Sequence, residues 1–169
     1  MIDSNYMEIL DINKLDEKLF EHLMDDSQGK SIISTLASSQ TGNDRTITRE
    51  RMNYVKKSLD HLMLLAVQDD DLKGMTIAQK ITGISNSYIY IHDIVVAEDQ
   101  RGKGVGSNII IKLMAESQKK WPEAVKFQLT SRPSRGTGPF FQKLGFRPRT
   151  KEAGDETIVY VKDLGDYKS

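Results

Sequence analysis

Apolar residues in the first 60 positions recur mainly every three or four residues, a period typical of amphipathic helices. A short apolar strand, Tyr6–Ile12, is predicted first, and a helix follows with Asn13 as its N-cap and Asp16 in its first turn. A second helix is predicted over 48–59, and the polar, aperiodic residues 26–47 between the helices predict a long loop. The helix residues predicted to face the core are Leu15, Leu19, Leu23, Met52, Val55 and Leu59.

From residue 61 onwards the pattern changes to short apolar runs, which predict strands. The predicted strands are 61–68, 73–82, 88–96, 124–130 and 157–163, and the predicted helices are 107–120 and 134–144. Because proline is tolerated only in a helix's first turn, Pro139 predicts that the last helix starts near Thr137 or is irregular. Asp69–Asp71 separates the first two strands as a hairpin turn, and Gly145 ends the last helix. The order β-α-α-β-β-β-α-β-α-β predicts one mixed sheet with helices on both faces, hence an α/β domain that spans residues 1–169.

Composition excludes several classes of function. A chain of 169 residues has the usual size of one domain. It contains no cysteine, which excludes disulfides, thiolate nucleophiles and cysteine-type zinc sites and fits a reducing compartment. No apolar run approaches the ~20 residues that span a bilayer, and the N-terminus lacks a secretory pattern. We therefore expect a cytoplasmic protein without membrane contact.

Charge is distributed unevenly along the chain. The net charge is zero, which argues against a general affinity for nucleic acid. Residues 101–151, however, carry twelve Lys and Arg and only two acids. The remainder of the chain carries twelve Lys and Arg and twenty-two acids. The basic segment is expected to attract an anionic ligand, unless the two parts are simply differently charged solvated faces. No group of histidines and acids has metal-ligand spacing, so no metal is expected.

A glycine-rich turn, QRGKGVG over 100–106, joins the strongest predicted strand to the strongest predicted helix. Glycines let a ligand approach the backbone, and the free N–H groups and dipole of the following helix favour a negative charge. The turn therefore predicts a diphosphate site, the alternative being a tight turn that needs glycine for steric reasons. Its spacing fits neither a P-loop nor a Rossmann fingerprint.

The spacing R-x-x-G-x-G, formed by Arg101, Gly104 and Gly106, resembles the pyrophosphate loop of the GCN5-related N-acetyltransferase (GNAT) superfamily. A second segment, SRGTGPFFQKLGF over 134–146, is similar to the segment that closes the core of that family. The resemblance covers about residues 62–161. It implies the GNAT fold, in which a bulge in the fourth strand opens a splay between the fourth and fifth strands of a mixed, mostly antiparallel sheet. It also implies an acyltransferase that moves the acetyl group of acetyl-CoA to an amine of a small molecule, protein or peptide.

The same resemblance assigns parts of the chain to the two substrates. Acetyl-CoA would lie in the splay of a core over 61–163, and residues 1–60 would form the acceptor side. The implied cofactor-binding residues are Ile94, Val95, Val96, Arg101, Gly102, Lys103, Gly104, Val105, Gly106, Ser107, Ser134 and Lys143. Arg132 and Arg135 are either ligands for the CoA 3′-phosphate or an anionic substrate, or exposed loop cations.

One position departs from the family pattern in a way that bears on catalysis. Phe141 stands where the family usually has the tyrosine that reprotonates the CoA thiolate. Either another donor or water replaces it, or the protein is a catalytically weak CoA-binding module with a regulatory or partner-binding role. A third alternative, acetylation of aminoacyl-tRNA, would need a basic acceptor surface, whereas the N-terminal half is acidic. The sequence leaves a homodimer open.

Three residues of the strand 88–96 are candidates for the chemistry. His92 is the leading general base, because an unperturbed histidine titrates near neutral pH. Asp93 is the second candidate, and Tyr90 would hold the substrate or act as an acid. The competing interpretation makes His92 a hydrogen-bonded structural residue of the sheet and Asp93 a residue that orients its neighbours.

Overall fold

The structure, a computed structural model, describes residues 7–25, 49–149 and 157–165. Its strands are β1 (Glu8–Asp11), β2 (His61–Gln68), β3 (Asp71–Thr82), β4 (Ser87–Val96), β5 (Ala124–Ser131), β6 (Arg147–Pro148) and β7 (Ile158–Asp163). Its helices are α1 (Glu17–Asp25), α2 (Arg49–Lys57), α3 (Val105–Lys120) and α4 (Gly138–Lys143). The loop predicted over 26–47 lies outside the described residues.

The strands form one sheet in the order β1-β2-β3-β4-β5-β7-β6. Only the β4–β5 pair is parallel among the pairings of this sheet, so the predicted mixed, mostly antiparallel sheet is confirmed. The β2–β3 hairpin turns through Asp69 and Asp70, whose φ angles are 53° and 62°. Two residues with positive φ match the right-handed twist of the flanking strands. Strand β3 accordingly begins at Asp71, two residues before the predicted start.

The sheet is covered by helices on both faces, as the sequence predicts. Successive side chains of a strand point to opposite faces, and β2 is apolar at almost every position. Leu62 and Leu64 pack in a core with α3, whereas Met63 and Leu65 pack in a second core with α1 and α2. No helix in the described ranges is long and apolar enough to cross a membrane.

The N-terminal helix begins later than predicted. Residues Ile12–Lys14 form a 3-10 turn, and the amide of Asn13 donates to the carboxylate of Asp11 over 2.9 Å. Asp16, not Asn13, is the N-cap of α1, because its Oδ1 accepts the amide of Leu19 over 2.7 Å. The prediction for Asn13 was therefore wrong by three residues.

Helix α2 ends two residues before the predicted end. The amide of Ser58 bonds the carbonyl of Val55 over 3.2 Å and closes the last turn. Leu59 then leaves the helix with 84% of its side chain exposed, so its predicted inward orientation is wrong. Its carbonyl instead accepts a hydrogen bond from the indole of Trp121 over 3.2 Å, which ties the end of α2 to the end of α3.

The two C-terminal helices differ from prediction at their starts. Helix α3 begins at Val105 rather than at 107, because Gly104 adopts φ 82° and serves as its N-cap. Helix α4 begins at Gly138 with Thr137 as its N-cap, rather than at 134, as expected from the restriction of Pro139 to a first turn. Gly145 has φ 87° and ends α4, as predicted. The two-residue strand β6 was not predicted, since it is too short to show a period.

Removal of two buried hydroxyl groups is expected to change the free energy of unfolding in opposite directions. Thr76 and Ser117 are both 0% exposed. Thr76 donates to the carbonyl of Asp93 over 2.9 Å, whereas the hydroxyl of Ser117 has no partner among the described residues. We expect Thr76→Val to lower the free energy of unfolding by about 1–2 kcal/mol and Ser117→Ala to raise it by up to about 1 kcal/mol. Urea unfolding of the two variants checks both signs, and destabilisation by Ser117→Ala would contradict the second.

Candidate functional site

A splay opens in the middle of the sheet, between β4 and β5. The parallel pairing begins at Ser87 and ends where Tyr90 lies opposite Gln128. The hydroxyls of Tyr90 and Thr130 hydrogen-bond across the two strands over 2.9 Å. Beyond this bridge the strands diverge, and the hydrogen-bonding edge of β4 over 91–96 faces a cleft instead of a strand. The predicted splay between the fourth and fifth strands is confirmed.

A β-bulge lies on β4 at the start of this cleft. Ile77 of β3 is opposite Asp93 and Ala78 is opposite Ile91, so His92 is the extra residue. Because directly opposite residues share a face, Asp93 follows Ile77 onto the face that carries Tyr90 and His92. The bulge thus brings all three candidate catalytic residues to one side of the sheet, whereas strict alternation would place Asp93 on the other.

Thr76 fixes the backbone of the bulge from the opposite face. Its buried hydroxyl donates to the carbonyl of Asp93, the first residue after the bulge. A residue on β3 therefore holds the part of β4 that lines the cleft. The sequence could not reveal this contact, because it depends on the register of two strands.

His92 is held by two neighbours on its face of the sheet. Its Nε2 lies 2.9 Å from Oε1 of Gln79, and its ring meets the ring of Tyr90 edge to face at 4.8 Å. Partial desolvation of the His92 ring lowers its pKa below the usual range, and the negative charge of Asp93 opposes this shift only partly. The imidazole is therefore neutral near pH 7, the form that accepts a proton.

His61 lies on the same face but is engaged elsewhere. Its Nδ1 is 2.7 Å from the hydroxyl of Ser58, and its ring contacts the ring of Tyr54 at 5.7 Å. Burial also lowers the pKa of His61. His61 does not line the cleft, so it serves the packing at the end of α2.

The larger of two adjoining cavities, about 980 Å³, lies between the β4 edge, the glycine-rich turn and α4. Most of the predicted cofactor-binding residues line it: Ile94, Val95, Val96, Arg101, Gly102, Gly104, Gly106, Ser107 and Lys143. The remaining three, Lys103, Val105 and Ser134, are not among its described lining residues. Val105 is buried in the core beneath α3, and Lys103 and Ser134 are exposed.

The glycine-rich turn is shaped to bind an anion. Gly102 and Gly104 adopt φ angles of 75° and 82°, the left-handed region that favours glycine. The turn thereby directs the first amides of α3, which lack acceptors within the helix, towards the larger cavity. Arg101 adds a positive charge, and its Nε lies 3.3 Å from the carbonyl of Val96.

The smaller cavity, about 320 Å³, lies on the other side of the splay. His92 and Asp93 line it from β4, and Thr130, Arg132 and Arg135 line it from β5 and the following turn. Both cavities share a set of lining residues: Ile94, Arg135, Thr137 and Phe141. The two cavities are therefore parts of one cleft that runs through the splay.

Phe141 sits where the two cavities meet. It is 7% exposed, and its ring packs against the rings of Phe140, Phe146 and Tyr160. Its side chain carries no proton to donate. Sequence reasoning identified this position but not Gln79, whose contact with His92 depends on the register of β3 with β4. In the described part of the chain, no three His, Asp or Glu side chains converge to hold a metal ion.

Comparison with protein families identifies one match. The family model of the acetyltransferase (GNAT) domain matches residues 25–162. This range contains both cavities, the glycine-rich turn and the bulge. No curated protein matches the sequence significantly.

Solved structures of similar fold cover nearly the whole chain. A GNAT-family acetyltransferase from Streptococcus pneumoniae has a TM-score of 0.66 at 18% identity, over 94% of this chain and 100% of the other. NAA60 from Arabidopsis thaliana, in complex with a bisubstrate analogue, has a TM-score of 0.66 at 14% identity, over 94% and 98%. The PaiA N-acetyltransferase from Thermoplasma acidophilum, in complex with coenzyme A, has a TM-score of 0.59 at 16% identity, over 94% and 99%. At these identities the similarity is one of fold.

Proposed function

The chain belongs to the GNAT acetyltransferase family, and on that basis we propose that it transfers the acetyl group of acetyl-CoA to an amine. The observation that carries the proposal is the continuous cleft through the splay. It joins an anion-binding turn on one side to a neutral histidine on the other. A cavity of about 980 Å³ on the turn side is large enough for an extended cofactor.

Acetyl-CoA occupies the larger cavity in this proposal. Its pyrophosphate binds the backbone amides of the turn over 102–106, and Arg101 and Lys143 add positive charge at the rim. Its pantetheine lies along Ile94–Val96, which pair with β3 on one side and lie beyond the end of the β4–β5 pairing on the other, so it follows the cleft edge of β4 as an added strand would. The thioester then lies beside the bulge, where the two cavities meet.

The acceptor amine enters from the smaller cavity, on the face covered in part by α1 and α2. We therefore keep the proposal that residues 1–60 form the acceptor side and that residues 61–163 form the cofactor-binding core. His92, directly or through water, takes a proton from the ammonium group, and Asp93 attracts the positive charge of that group. Tyr90 holds the edge of His92 in place.

The reaction exchanges one bond for another. The amine nitrogen attacks the thioester carbon, the new C–N bond forms and the C–S bond breaks. The leaving CoA thiolate takes its proton from solvent, because Phe141 cannot donate one. This absence of a donor is also the observation that favours the second candidate function, a catalytically weak CoA-binding module that regulates or binds a partner.

Release of free thiol from acetyl-CoA distinguishes the two candidate functions. We expect thiol release to rise above background hydrolysis when a suitable amine is added from a panel of small amines, peptides and polyamines. The same reactions without amine measure the hydrolysis. Tight CoA binding by calorimetry, combined with no amine-dependent thiol release across the panel, would support the binding module and contradict the transferase.

A further inference from the structure

The smaller cavity separates positive from negative charge across its width. Asp93 and the neutral His92 lie on the β4 wall, and the two arginines Arg132 and Arg135 lie on the opposite wall, after β5. In the described ranges neither guanidinium is paired with an acid or hydrogen-bonded to another side chain. Two unpaired arginines in a concave site are suited to bind a carboxylate or phosphate through paired hydrogen bonds.

A local turn holds the two arginines together. The amide of Arg135 donates to the carbonyl of Arg132 over 3.0 Å and closes the 3-10 turn Pro133–Arg135. Residues three apart in such a turn project from the same side, so both side chains reach the same cavity. Thr130 and Thr137 also line this cavity, and their hydroxyls are hydrogen-bonded to those of Tyr90 and Ser131.

We propose that the acceptor is a small amine whose molecule also carries an anionic group, a carboxylate or a phosphate, and that Arg132 binds this group. The inference rests on the proposed transfer to an amine. The ammonium group lies towards Asp93 and His92, and the anionic group lies towards the arginines. A cavity of about 320 Å³ fits a single small molecule of this kind.

Arg132 is the residue whose substitution tests acceptor binding separately from cofactor binding. Arg135 lines both cavities and can contact either ligand, whereas Arg132 lines only the smaller one. Arg149, an exposed arginine after β6 that lines neither cavity, supplies a control with the same loss of charge.

Calorimetry on the protein saturated with CoA, which has no acetyl group to transfer, tests the proposal without catalysis. The probes are amino acids paired with their carboxamides and aminoalkyl phosphates paired with the matching amino alcohols. We expect one anionic series to bind about 10- to 100-fold more tightly than its neutral partners, as charge-assisted hydrogen bonds to arginine predict. The series that shows the preference identifies the anion as a carboxylate or a phosphate.

The Arg132→Gln variant is expected to lose this preference, while its CoA affinity stays unchanged and Arg149→Gln keeps the preference. Equal binding within every pair, no binding by any probe, or a preference that survives Arg132→Gln would overturn the inference. Thiol release, measured separately, reports on the proposed function. Equal transfer to anionic and neutral amines would support the transferase and contradict the inference. Tight binding of anionic amines that depends on Arg132, with no transfer, would support the anion-binding role of Arg132 but contradict the transferase and the role of the amine as its acceptor.

Discussion

Replacing Gly104 with valine is expected to weaken CoA binding by about 10- to 100-fold, since several charge-assisted hydrogen bonds from backbone amides to phosphate depend on this turn. Gly104 is the N-cap of α3 and holds φ 82°, a conformation that a β-branched residue adopts only with strain. No atom lies within 4 Å of the position of an added Cβ, so the side chain fits but occupies the space of the ligand. Calorimetric titration with CoA measures the loss.

Gly165 provides a control for the strain alone. It has φ 88°, equally open surroundings and a position outside both cavities. We expect Gly165→Val to cost similar stability and to bind CoA as the unmodified protein does. If folded Gly104→Val also bound CoA with unchanged affinity, the assignment of the pyrophosphate to this turn would be wrong.

Local pattern was sufficient to predict the strands of this fold apart from the two-residue β6. Strand β2 is apolar at nearly every position because both of its faces are buried, and β4 is rich in aromatic and β-branched residues. The strand conformation of such runs can be predicted without knowing which segments they pair with. The ends of helices were predicted less well, because capping is decided by one side chain or one backbone angle. Asp16 competes with Asn13 for the cap of α1, and Gly104 starts α3 before the apolar period becomes visible.

The glycine-rich turn over 100–106 could also be predicted locally, because strand, glycines and helix are contiguous in the chain. The candidate residues of β4 could also be named from the sequence, but the contacts that hold them could not be predicted. His92 meets Gln79, and Thr76 meets the carbonyl of Asp93, only through the register of β3 with β4. The family resemblance implied a bulge in this strand, but only the register shows that His92 is the extra residue and that Asp93 reaches the face of His92.

The largest catalytic effect is expected at His92. Changing it to glutamine preserves a polar side chain beside Gln79 but removes the group that accepts the proton. We expect kcat to fall by about 10²- to 10⁴-fold, the usual contribution of a general base. His61→Gln is the matched control, since His61 lies on the same face, has a pKa lowered by burial and lines neither cavity. Its kcat should stay close to that of the unmodified protein.

The pH dependence of kcat distinguishes a base from a structural histidine. Burial disfavours the imidazolium form of His92 and lowers its pKa, so the active neutral form persists as the pH falls below the usual histidine value of about 6.5. In the unmodified protein, kcat should therefore decline only below that pH, with a limb that is absent in His92→Gln. If His92→Gln kept full kcat/KM between about pH 6 and 9, then Asp93, Tyr90 or a bound water would be the base, and His92 would act only through its packing against Tyr90.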